Sequence, residues 1–466
     1  MTRSARIGSL LVACLSLAPS ARASDVSVQL DSGAGFVVRN NTGAIQRLRV
    51  DEATGNISRN GALFVHTSGT QSLFIGQGAG NTASTGSNVG IGAFALQMNT
   101  TGFSNTAVGQ SSLSSNTSGI GNSALGAGSL LFNTTGGQNV GLGIAALLSN
   151  TQGSNNSAVG AEALRLNTTG SDNSAVGAGA LLSNTAGYSN SAFGESALRA
   201  NTTAPQNSAF GWSALRDNTT GGGNSAVGSF AMRANTTGAS NVGFGQTALR
   251  SNTTGSDNTA LGRGALYSNT GGSRNVAVGS GAGYGQTTGN DNIYLASAGV
   301  AGESGRIRIG TVGTHVQTQI AGISGATSAG GISVLVNASG VLGTTTSSAR
   351  FKRDVEDMGD ASDLLMRLRP VRFHYLESAV GVEASQVEQY GLIAEEVAEV
   401  APELVAPDGA GKPYSVKYHV LPALLLNEIQ KEHRANADQQ RTIEAQRELI
   451  ASLSSRLAAL ETRAAK

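Results

Sequence analysis

The sequence predicts a mainly β protein: a trimeric parallel β-roll (solenoid) fibre of 17-residue repeats, followed by a small α+β domain that ends in a trimeric coiled coil. Three observations support this prediction. Asparagine recurs every 17 residues from position 99 to position 269. Glycine accounts for 64 of the 466 residues, whereas charged residues make up 13% and aromatic residues 5%. Residues 421–466 carry an apolar heptad pattern that is typical of a coiled coil.

The composition limits the classes of protein that this chain can be. So few bulky apolar side chains cannot fill one large globular core, while the strict periodicity argues against plain disorder. The formal net charge is +1 and no basic patch is evident, so we expect no nucleic-acid partner. The repeat contains no cluster of His, Cys and carboxylate residues, and we expect neither a metal nor a cofactor.

Residues 1–23 read as a signal peptide. Arg3 and Arg6 precede the apolar run 7–18, and residues 21–23 form a small-x-small cleavage site. The only cysteine lies in a Leu-Val-Ala-Cys sequence that is similar to a lipoprotein box, but the apolar run before this residue, Cys14, is short for that class. Ordinary cleavage is therefore favoured over lipidation at Cys14. We expect a protein that is secreted or held on a bacterial cell surface.

Residues 24–70 are predicted to form β-hairpins. Two short apolar-polar segments, 36–39 and 47–50, are each followed by turn residues rich in Asn, Asp, Thr and Gly.

Residues 71–296 form the repeat, and residues 167–183 are a typical copy. Ser-Ala-Val suits a short strand with Val176 at an inward position, and Gly177 supplies the positive φ of a tight corner. The Ala-Leu pair ending at Leu181 offers a second inward position, and Asn-Thr-Thr-Gly is turn chemistry. About thirteen rungs stacked about 4.8 Å apart give a rod of about 60 Å. Asparagines in register then form a hydrogen-bonded ladder.

The inward face of this roll consists mostly of Ala, Val and Leu, and a single roll would leave apolar stripes exposed. We therefore expect self-association, for which a three-fold bundle is the simplest closed assembly. The repeat resembles the head of trimeric autotransporter adhesins (YadA-like heads), which stack Asn-Ser-x-Ala-x-Gly coils. The exposed positions 171–172 and 221–223 vary without a chemical theme, so the sequence does not name a ligand. Residues 297–346 leave the register, and we expect a β collar with strands at 306–310 and 332–337, followed by a linker.

Residues 347–420 look like a conventional charged domain, and Lys352 is the first lysine of the chain. An amphipathic helix is predicted over 355–368. The remaining predicted elements are a strand at 371–375, a segment 390–397 that leads into a helix closed near Pro402, and a long final helix from about Pro422 to the end, which follows the segment 415–418. In that helix the heptad a positions are Ile429, Asn436, Ile443, Ile450 and Leu457. A lone surface helix is the alternative to a coiled coil.

Five segments of this region occur in a recognisable order: 347–355, 368–373, 390–397, 402–405 and 424–430. Together they resemble the intramolecular chaperone domain of phage endosialidase tailspikes. The resemblance implies a domain that trimerises, helps the preceding β-fibre to fold, and then cuts itself off through a Ser-Lys dyad.

The family motif places the nucleophile five residues before the lysine, which maps onto Ser347 and Lys352 with cleavage between Thr346 and Ser347. Ser348 stands where many members have Asp. A serine needs a nearby base, and lysine serves as that base only when burial disfavours its charged form. On a regular helix Ser348 would face Lys352 and Ser347 would not. We therefore expect Ser347 in a non-helical turn and keep Ser348 as the alternative nucleophile; a solvated Ser-Lys pair in a linker is the plain structural alternative.

The sequence thus predicts an exported bacterial trimeric fibre, an adhesin or tail-fibre-like protein, whose enzymatic activity is one self-cleavage. Its partners would be copies of itself and an unidentified carbohydrate or host-protein ligand. The competing interpretation is a structural fibre that keeps the domain as an uncut trimerisation cap. A glycoside hydrolase is disfavoured because the repeat has too few paired carboxylates.

Overall fold

The computed structural model describes residues 27–31, 35–39, 46–51, 53–68, 71–82, 84, 86–323, 328–337 and 339–465. The predicted signal peptide and Cys14 lie outside the described residues. The chain divides into two compact units, Met1–Gln319 and Ile320–Lys466.

The first unit begins with an antiparallel meander, and sequence neighbours within it pair with each other. Its strands are Ser27–Asp31, Gly35–Arg39, Gln46–Val50, Ile57–Arg59 and Ala62–His66. The last of these strands pairs antiparallel with Leu73–Ile75, the first strand of the solenoid. In this way the meander covers the edge that the first rung would otherwise expose to other chains.

A parallel β-solenoid of about 14 turns follows over residues 73–309, which confirms the predicted mainly β fold class. Each strand pairs in register with the next, so that equivalent residues stack in columns. The strands are Leu73–Ile75, Val89–Ile91, Thr106–Val108, Ser123–Leu125, Val140–Leu142, Ser157–Val159, Ser174–Val176, Ser191–Phe193, Ser208–Phe210, Ser225–Val227, Val242–Phe244, Thr259–Leu261, Val276–Val278, Ile293–Leu295 and Ile307–Ile309.

The inward face of each rung differs from the prediction. Ala175, the middle residue of its strand, is fully buried, whereas Val176 is 38% exposed and points outward. Side chains alternate along a strand, so only one of these two can face the interior, and the narrow core accepts the smaller. The prediction of an inward Val176 was wrong. The outward column is a continuous apolar stripe on the sheet face.

Leu181 and its equivalents fill the rest of the core, and they do so in a left-handed backbone conformation. Leu164, Leu181 and Leu198 have φ values of 52°, 51° and 52° and are fully buried. A left-handed L-residue costs about 1–2 kcal/mol. Burying the leucine side chain contributes about 1.5–3 kcal/mol, which offsets that cost. Gly177 has the positive φ expected of the corner, at 135°, and an added Cβ would lie 2.5 Å from the carbonyl oxygen of Gly194 on the next rung.

Two buried asparagine ladders run along the solenoid, as predicted. In the first, Asn184 Nδ2 donates to Asn167 Oδ1 at 2.8 Å and to the carbonyl of Gly187 at 3.0 Å. In the second, Asn190 donates its backbone N–H and its Nδ2 to Asn173 Oδ1, both at 3.1 Å. The ladders therefore satisfy backbone carbonyls that face the interior and link each rung to its neighbours.

Large aromatic side chains close both ends of the core. Phe74 and Tyr294 are fully buried at strand positions where most rungs carry alanine or glycine. Glycines make room for them: an added Cβ at Gly90 would lie 2.7 Å from the ring of Phe74, and one at Gly299 would lie 2.7 Å from that of Tyr294. These residues act as caps of the kind that terminal rungs need.

The strand Ile307–Ile309 pairs in parallel with Ile293–Leu295. It is therefore the last rung of the solenoid, and the interpretation of 306–310 as part of a collar was wrong. Its spacing of 14 residues from the preceding strand, in place of 17, hid this relation in the sequence.

The second unit is a small α+β region ending in a long helix. Its strands are Leu335–Val336, Leu342–Gly343, Val371–Phe373, Gln389–Gly391, Val405–Pro407 and Pro413–Val416. Its α-helices are Glu377–Val380, Val382–Ser385, Ala394–Val400 and Leu421–Ala464, and its 3-10 helices are Ala349–Phe351, Gly359–Arg367 and Pro402–Leu404. The predicted amphipathic helix over 355–368 is thus a shorter 3-10 helix, which starts at a glycine with φ of 52°.

A compact apolar core holds this region together, formed by Val397, Ala401, Leu404, Val405, Val416 and Leu424. The helix Leu421–Ala464 has 44 residues and so extends for about 66 Å. Only Leu424 and Glu428 of this helix are buried in the single chain. The side chains at the apolar a positions Ile450 and Leu457 are 62% and 58% exposed. A helix with such an exposed apolar stripe needs a partner surface.

Candidate functional site

The segment that carries the predicted dyad has little regular structure. Residues 344–348 are neither helix nor strand, and the 3-10 turn Ala349–Phe351 begins only after Ser348. The turn is closed by two backbone hydrogen bonds, from the Phe351 N–H to the Ser348 carbonyl and from the Lys352 N–H to the Ala349 carbonyl, both at 3.0 Å. It reverses the chain and brings the side chains on either side of it together.

As a result, Lys352 Nζ donates a hydrogen bond to Ser347 Oγ at 3.3 Å. This distance is slightly longer than the roughly 2.6–3.2 Å over which a base takes a hydroxyl proton, as is common before a catalytic site is complete. Ser347 lies before the turn, in a non-helical stretch. Ser348 is the residue that caps the turn, with φ −67° and ψ 136° and no hydrogen bond from its side chain to the turn.

The pair is open to solvent in the single chain, because every residue from 341 to 360 is exposed. Among the described residues, no other hydrogen bond or ion pair involves the side chain of Ser347 or Lys352. Thr346, on the other side of the predicted scissile bond, is exposed as well. The arrangement therefore places a hydroxyl and an amine in contact at an exposed position of the single chain.

A buried polar cluster fixes the chain a few residues after the dyad. Ser362 is fully buried and donates its hydroxyl to Glu428 Oε1, while Asn427 Nδ2 donates to Ser362 Oγ at 2.6 Å and to the Gly359 carbonyl at 2.7 Å. Lys431 Nζ contacts the same Glu428 oxygen at 3.0 Å. The Ser362 and Lys431 hydrogen bonds hold the pKa of Glu428 below its usual value. This cluster ties the 3-10 helix Gly359–Arg367 to the long helix.

Sequence reasoning did not identify this cluster. Ser362 lies 65 and 66 positions before Asn427 and Glu428, and a serine, an asparagine and a glutamate in helices carry no signal of their own. The closest hint is the Asn-Glu pair at 427–428, which interrupts the apolar start of the final helix.

An apolar groove of about 600 Å³ lies next to the start of the long helix. Leu365, Leu368, Val371, Leu392 and Leu425 line it, together with two tyrosines. Between the lining residues Leu368 and Pro370 in sequence, Arg369 Nε donates to Glu396 Oε2 at 3.1 Å, and this guanidinium holds the pKa of the Glu396 carboxyl below its usual value. An open groove with this lining is suited to bind apolar side chains.

Among the residues that the structure describes, no group of three or more His, Cys, Asp or Glu side chains is placed to hold a metal ion. Within the same residues, no helix is both long enough and apolar enough to cross a membrane.

Residues 347–406 match the family model described as the chaperone of endosialidase. The match begins at Ser347, one of the two residues of the dyad, and extends to the strand Val405–Pro407. Neither the curated proteins nor the solved structures include a match to this chain. The chain is therefore a β-solenoid followed by a C-terminal region similar to the endosialidase chaperone, as the sequence resemblance implied.

Proposed function

We propose that this chain is an exported bacterial trimeric fibre that matures by self-cleavage between Thr346 and Ser347. The C-terminal region acts as an intramolecular chaperone that aligns three solenoids and is then released. One observation carries the proposal: Lys352 Nζ lies 3.3 Å from Ser347 Oγ at the first residue of the family match. Further support comes from the family, which is linked to self-cleaving intramolecular chaperones.

The reaction follows from the position of the nucleophile. The scissile bond precedes Ser347, so its Oγ attacks the carbonyl carbon of Thr346 while Lys352 Nζ takes the hydroxyl proton. The C–N bond breaks, an ester joins Thr346 to Ser347 Oγ, and the lysine returns the proton to the departing nitrogen. Water then hydrolyses the ester, giving a carboxylate at Thr346 and a free hydroxyl on Ser347, which is now the amino-terminal residue of the released fragment.

Assembly supplies what the single chain lacks. A lysine acts as a base only after burial has disfavoured its charged form, and the segment 341–360 is exposed in the single chain. The apolar groove and the exposed heptad stripe of the long helix are surfaces that further copies of this unit would cover. Cleavage would then wait until three chains have come together, and trimerisation would be its trigger.

Denaturing gel electrophoresis with intact mass tests the proposal. The full-length protein should yield a fragment of 120 residues starting at Ser347 (466 − 346 = 120), and Ser347→Ala and Lys352→Ala should abolish it. Lys412→Ala is the matched control, since Lys412 is another exposed lysine of the same unit. A fragment that starts at Ser348, lost in Ser348→Ala, would move the nucleophile by one residue. An uncut chain in every sample would leave the region as a permanent trimerisation cap.

The proposed role of the fibre is attachment outside the cell. A predicted signal peptide at 1–23 would direct export, and the released solenoid would present its surface columns to a ligand, as an adhesin or a tail-fibre-like protein does. Fractionation of a bacterial host that expresses the chain with and without residues 1–23 tests the export step. Loss of the extracellular product on deletion is expected, and equal distribution of both forms would contradict export.

A further inference from the structure

One column of the solenoid concentrates positive charge. Residues 71–296 contain seven arginines, and four of them recur at intervals of 17 on four consecutive rungs. The next two rungs carry tyrosine at the same position. We call this set the arginine–tyrosine column; its members are Arg199, Arg216, Arg233, Arg250, Tyr267 and Tyr284.

Backbone hydrogen bonds hold the rungs of the column in register. The N–H of Ala200 donates to the carbonyl of Arg216 at 2.9 Å, and the N–H of Ala234 donates to that of Arg250 at 3.0 Å. Because neighbouring rungs are about 4.8 Å apart, the four guanidinium groups project from a scaffold that repeats at that distance. The fold therefore sets the spacing of the backbone positions from which the four arginine side chains extend.

The side chains of the column touch one another at its C-terminal end. The Arg250 guanidinium carbon lies 5.5 Å from the centroid of the Tyr267 ring, and Arg250 Nη1 donates to the Tyr267 hydroxyl. The rings of Tyr267 and Tyr284 are stacked, with centroids 4.9 Å apart and an angle of 12° between their planes. Tyr284 leaves about half of its surface, 49%, open to solvent.

Two further aromatic residues lie beside the column. Trp212 is the only tryptophan of the chain and is 51% exposed, and its ring centroid lies 4.5 Å from that of Phe230. The Arg233 guanidinium carbon is 5.4 Å from the centroid of the Phe230 ring. The patch thus presents guanidinium groups next to open aromatic faces across several rungs, a combination that is enriched at binding sites.

Most of this charge is not neutralised within the chain. Arg216 pairs with Asp217 at 2.7 Å, but within the described parts of the chain no carboxylate lies within 4.0 Å of Arg199, Arg233 or Arg250. Stacked like charges repel each other and attract a polyanion whose charges repeat along its length. Arg165 lies at the equivalent position two rungs before Arg199, outside the column, and is paired with Glu162 of its own rung.

We propose that the arginine–tyrosine column, with Trp212 and Phe230, binds a linear acidic polysaccharide. Guanidinium groups form paired hydrogen bonds with carboxylate or sulfate oxygens, and sugar rings pack their C–H faces on open aromatic rings. A single-stranded nucleic acid fits less well, because the proteins that bind it follow its backbone with a strongly positive groove, whereas this chain has a formal net charge of only +1. This inference deepens the proposed attachment role and rests on it for its biological setting.

Binding of defined polymers to the full-length protein tests the inference. The probes are polygalacturonate for carboxylates, dextran sulfate for sulfates, unmodified dextran as the neutral polymer and an oligodeoxythymidine as the nucleic acid. We expect binding of at least one acidic polysaccharide that weakens with added salt, and no binding of dextran. Each unpaired guanidinium contributes about tenfold in affinity, so the double variant Arg233→Ala/Arg250→Ala should bind about a hundredfold more weakly.

Two single variants serve as controls. Arg165→Ala removes a paired guanidinium from the equivalent position two rungs before the column and should leave the affinity unchanged. Trp212→Ala should weaken binding although no charge is lost. Absence of binding to both acidic polymers, equal losses in Arg165→Ala and the double variant, or tighter binding of the oligonucleotide would overturn the inference. The cleavage gel on the same preparations separates the two proposals: a cut fibre that binds neither polymer refutes only the ligand, and an uncut fibre that binds refutes only self-release.

Discussion

Asn184→Ala tests whether the buried amide ladder holds the solenoid together. The Asn184 side chain is fully buried, donates to Asn167 Oδ1 at 2.8 Å and to the Gly187 carbonyl at 3.0 Å, and accepts from Asn201 Nδ2 at 2.9 Å. After truncation the Gly187 carbonyl still accepts from Asn173 Nδ2, at 2.9 Å. Asn201 Nδ2 still donates to a backbone carbonyl, at 3.0 Å. Only Asn167 Oδ1 loses its one side-chain donor.

The cost can be worked out from these contacts. A buried acceptor without a partner costs about 1–3 kcal/mol, and the loss of the two further hydrogen bonds adds about 1 kcal/mol each. We therefore expect Asn184→Ala to lower the local free energy of opening by about 3–5 kcal/mol. Asn184→Asp keeps the shape but replaces the donor by a buried carboxylate, which is more costly. Burial raises the pKa of such a carboxyl, so the penalty of the Asp variant should be present above about pH 4 and shrink in acid.

Hydrogen exchange measured by mass spectrometry is the suitable assay, because a stacked array opens locally and neighbouring rungs share the loss. Peptides spanning residues 167–201 should exchange faster in Asn184→Ala, while peptides near residues 99–133 should keep their native rates. Thr169→Ala, at an exposed position of the equivalent turn one rung earlier, is the control and should change little. Equal exchange in the two variants would show that the ladder does not stabilise the rungs.

Three further outcomes follow from the structure. Gln286 Oε1 and the Oδ1 of Asn269, the last asparagine of the first ladder, are buried without partners. An asparagine at position 286 would extend that ladder and donate to Asn269 Oδ1, so Gln286→Asn should raise the free energy of unfolding by about 1 kcal/mol in denaturant titration. Gly194→Ala should cost about 3 kcal/mol or more in thermal unfolding, since its Cβ would lie 2.5 Å from the next rung's carbonyl oxygen. Arg308 lowers the pKa of Glu303, so this pair stabilises above about pH 4.5 and its contribution is lost as the pH falls; Arg308→Ala should remove that acid dependence.

The repeat made much of the solenoid predictable. An uninterrupted period of 17 requires stacked equivalent rungs, and the amide ladders follow once asparagines are in register. The side of the strand on which each side chain lies was harder to predict, because Ser-Ala-Val permits either the alanine or the valine to point inward. Only the narrow interior decides between Ala175 and Val176. The left-handed backbone at Leu181 has no sequence signal either, since leucine rarely adopts it and does so here only because the core accepts its side chain.

The candidate dyad was predictable by resemblance, and its contact was not. Spacing alone would favour Ser348 over Ser347, because residues four apart face each other on a helix. The structure has a 3-10 turn at Ala349–Phe351 instead, and Lys352 Nζ reaches back to Ser347 Oγ. The arginine–tyrosine column escaped notice for another reason. Its members are 17 residues apart and differ in chemistry from the equivalent residues of earlier rungs, so the pattern is visible only column by column.

The physics of the repeat also explains why a separate folding device follows it. The strands Ser157–Val159 and Ser174–Val176 have identical sequences, and most rungs offer their neighbours the same ladder contacts. Chains that align one rung out of register would keep nearly all contacts between copies and lose only those at the ends, where Phe74 and Tyr294 differ from the rest. Stability that is a sum of nearest-neighbour terms cannot choose among such alignments. A unit of unique sequence with its own helix, such as the C-terminal chaperone, can set that register once. After that, each rung is held by its neighbours, and the fibre would persist without the unit because every slipped state lies behind the barrier of unfolding many rungs.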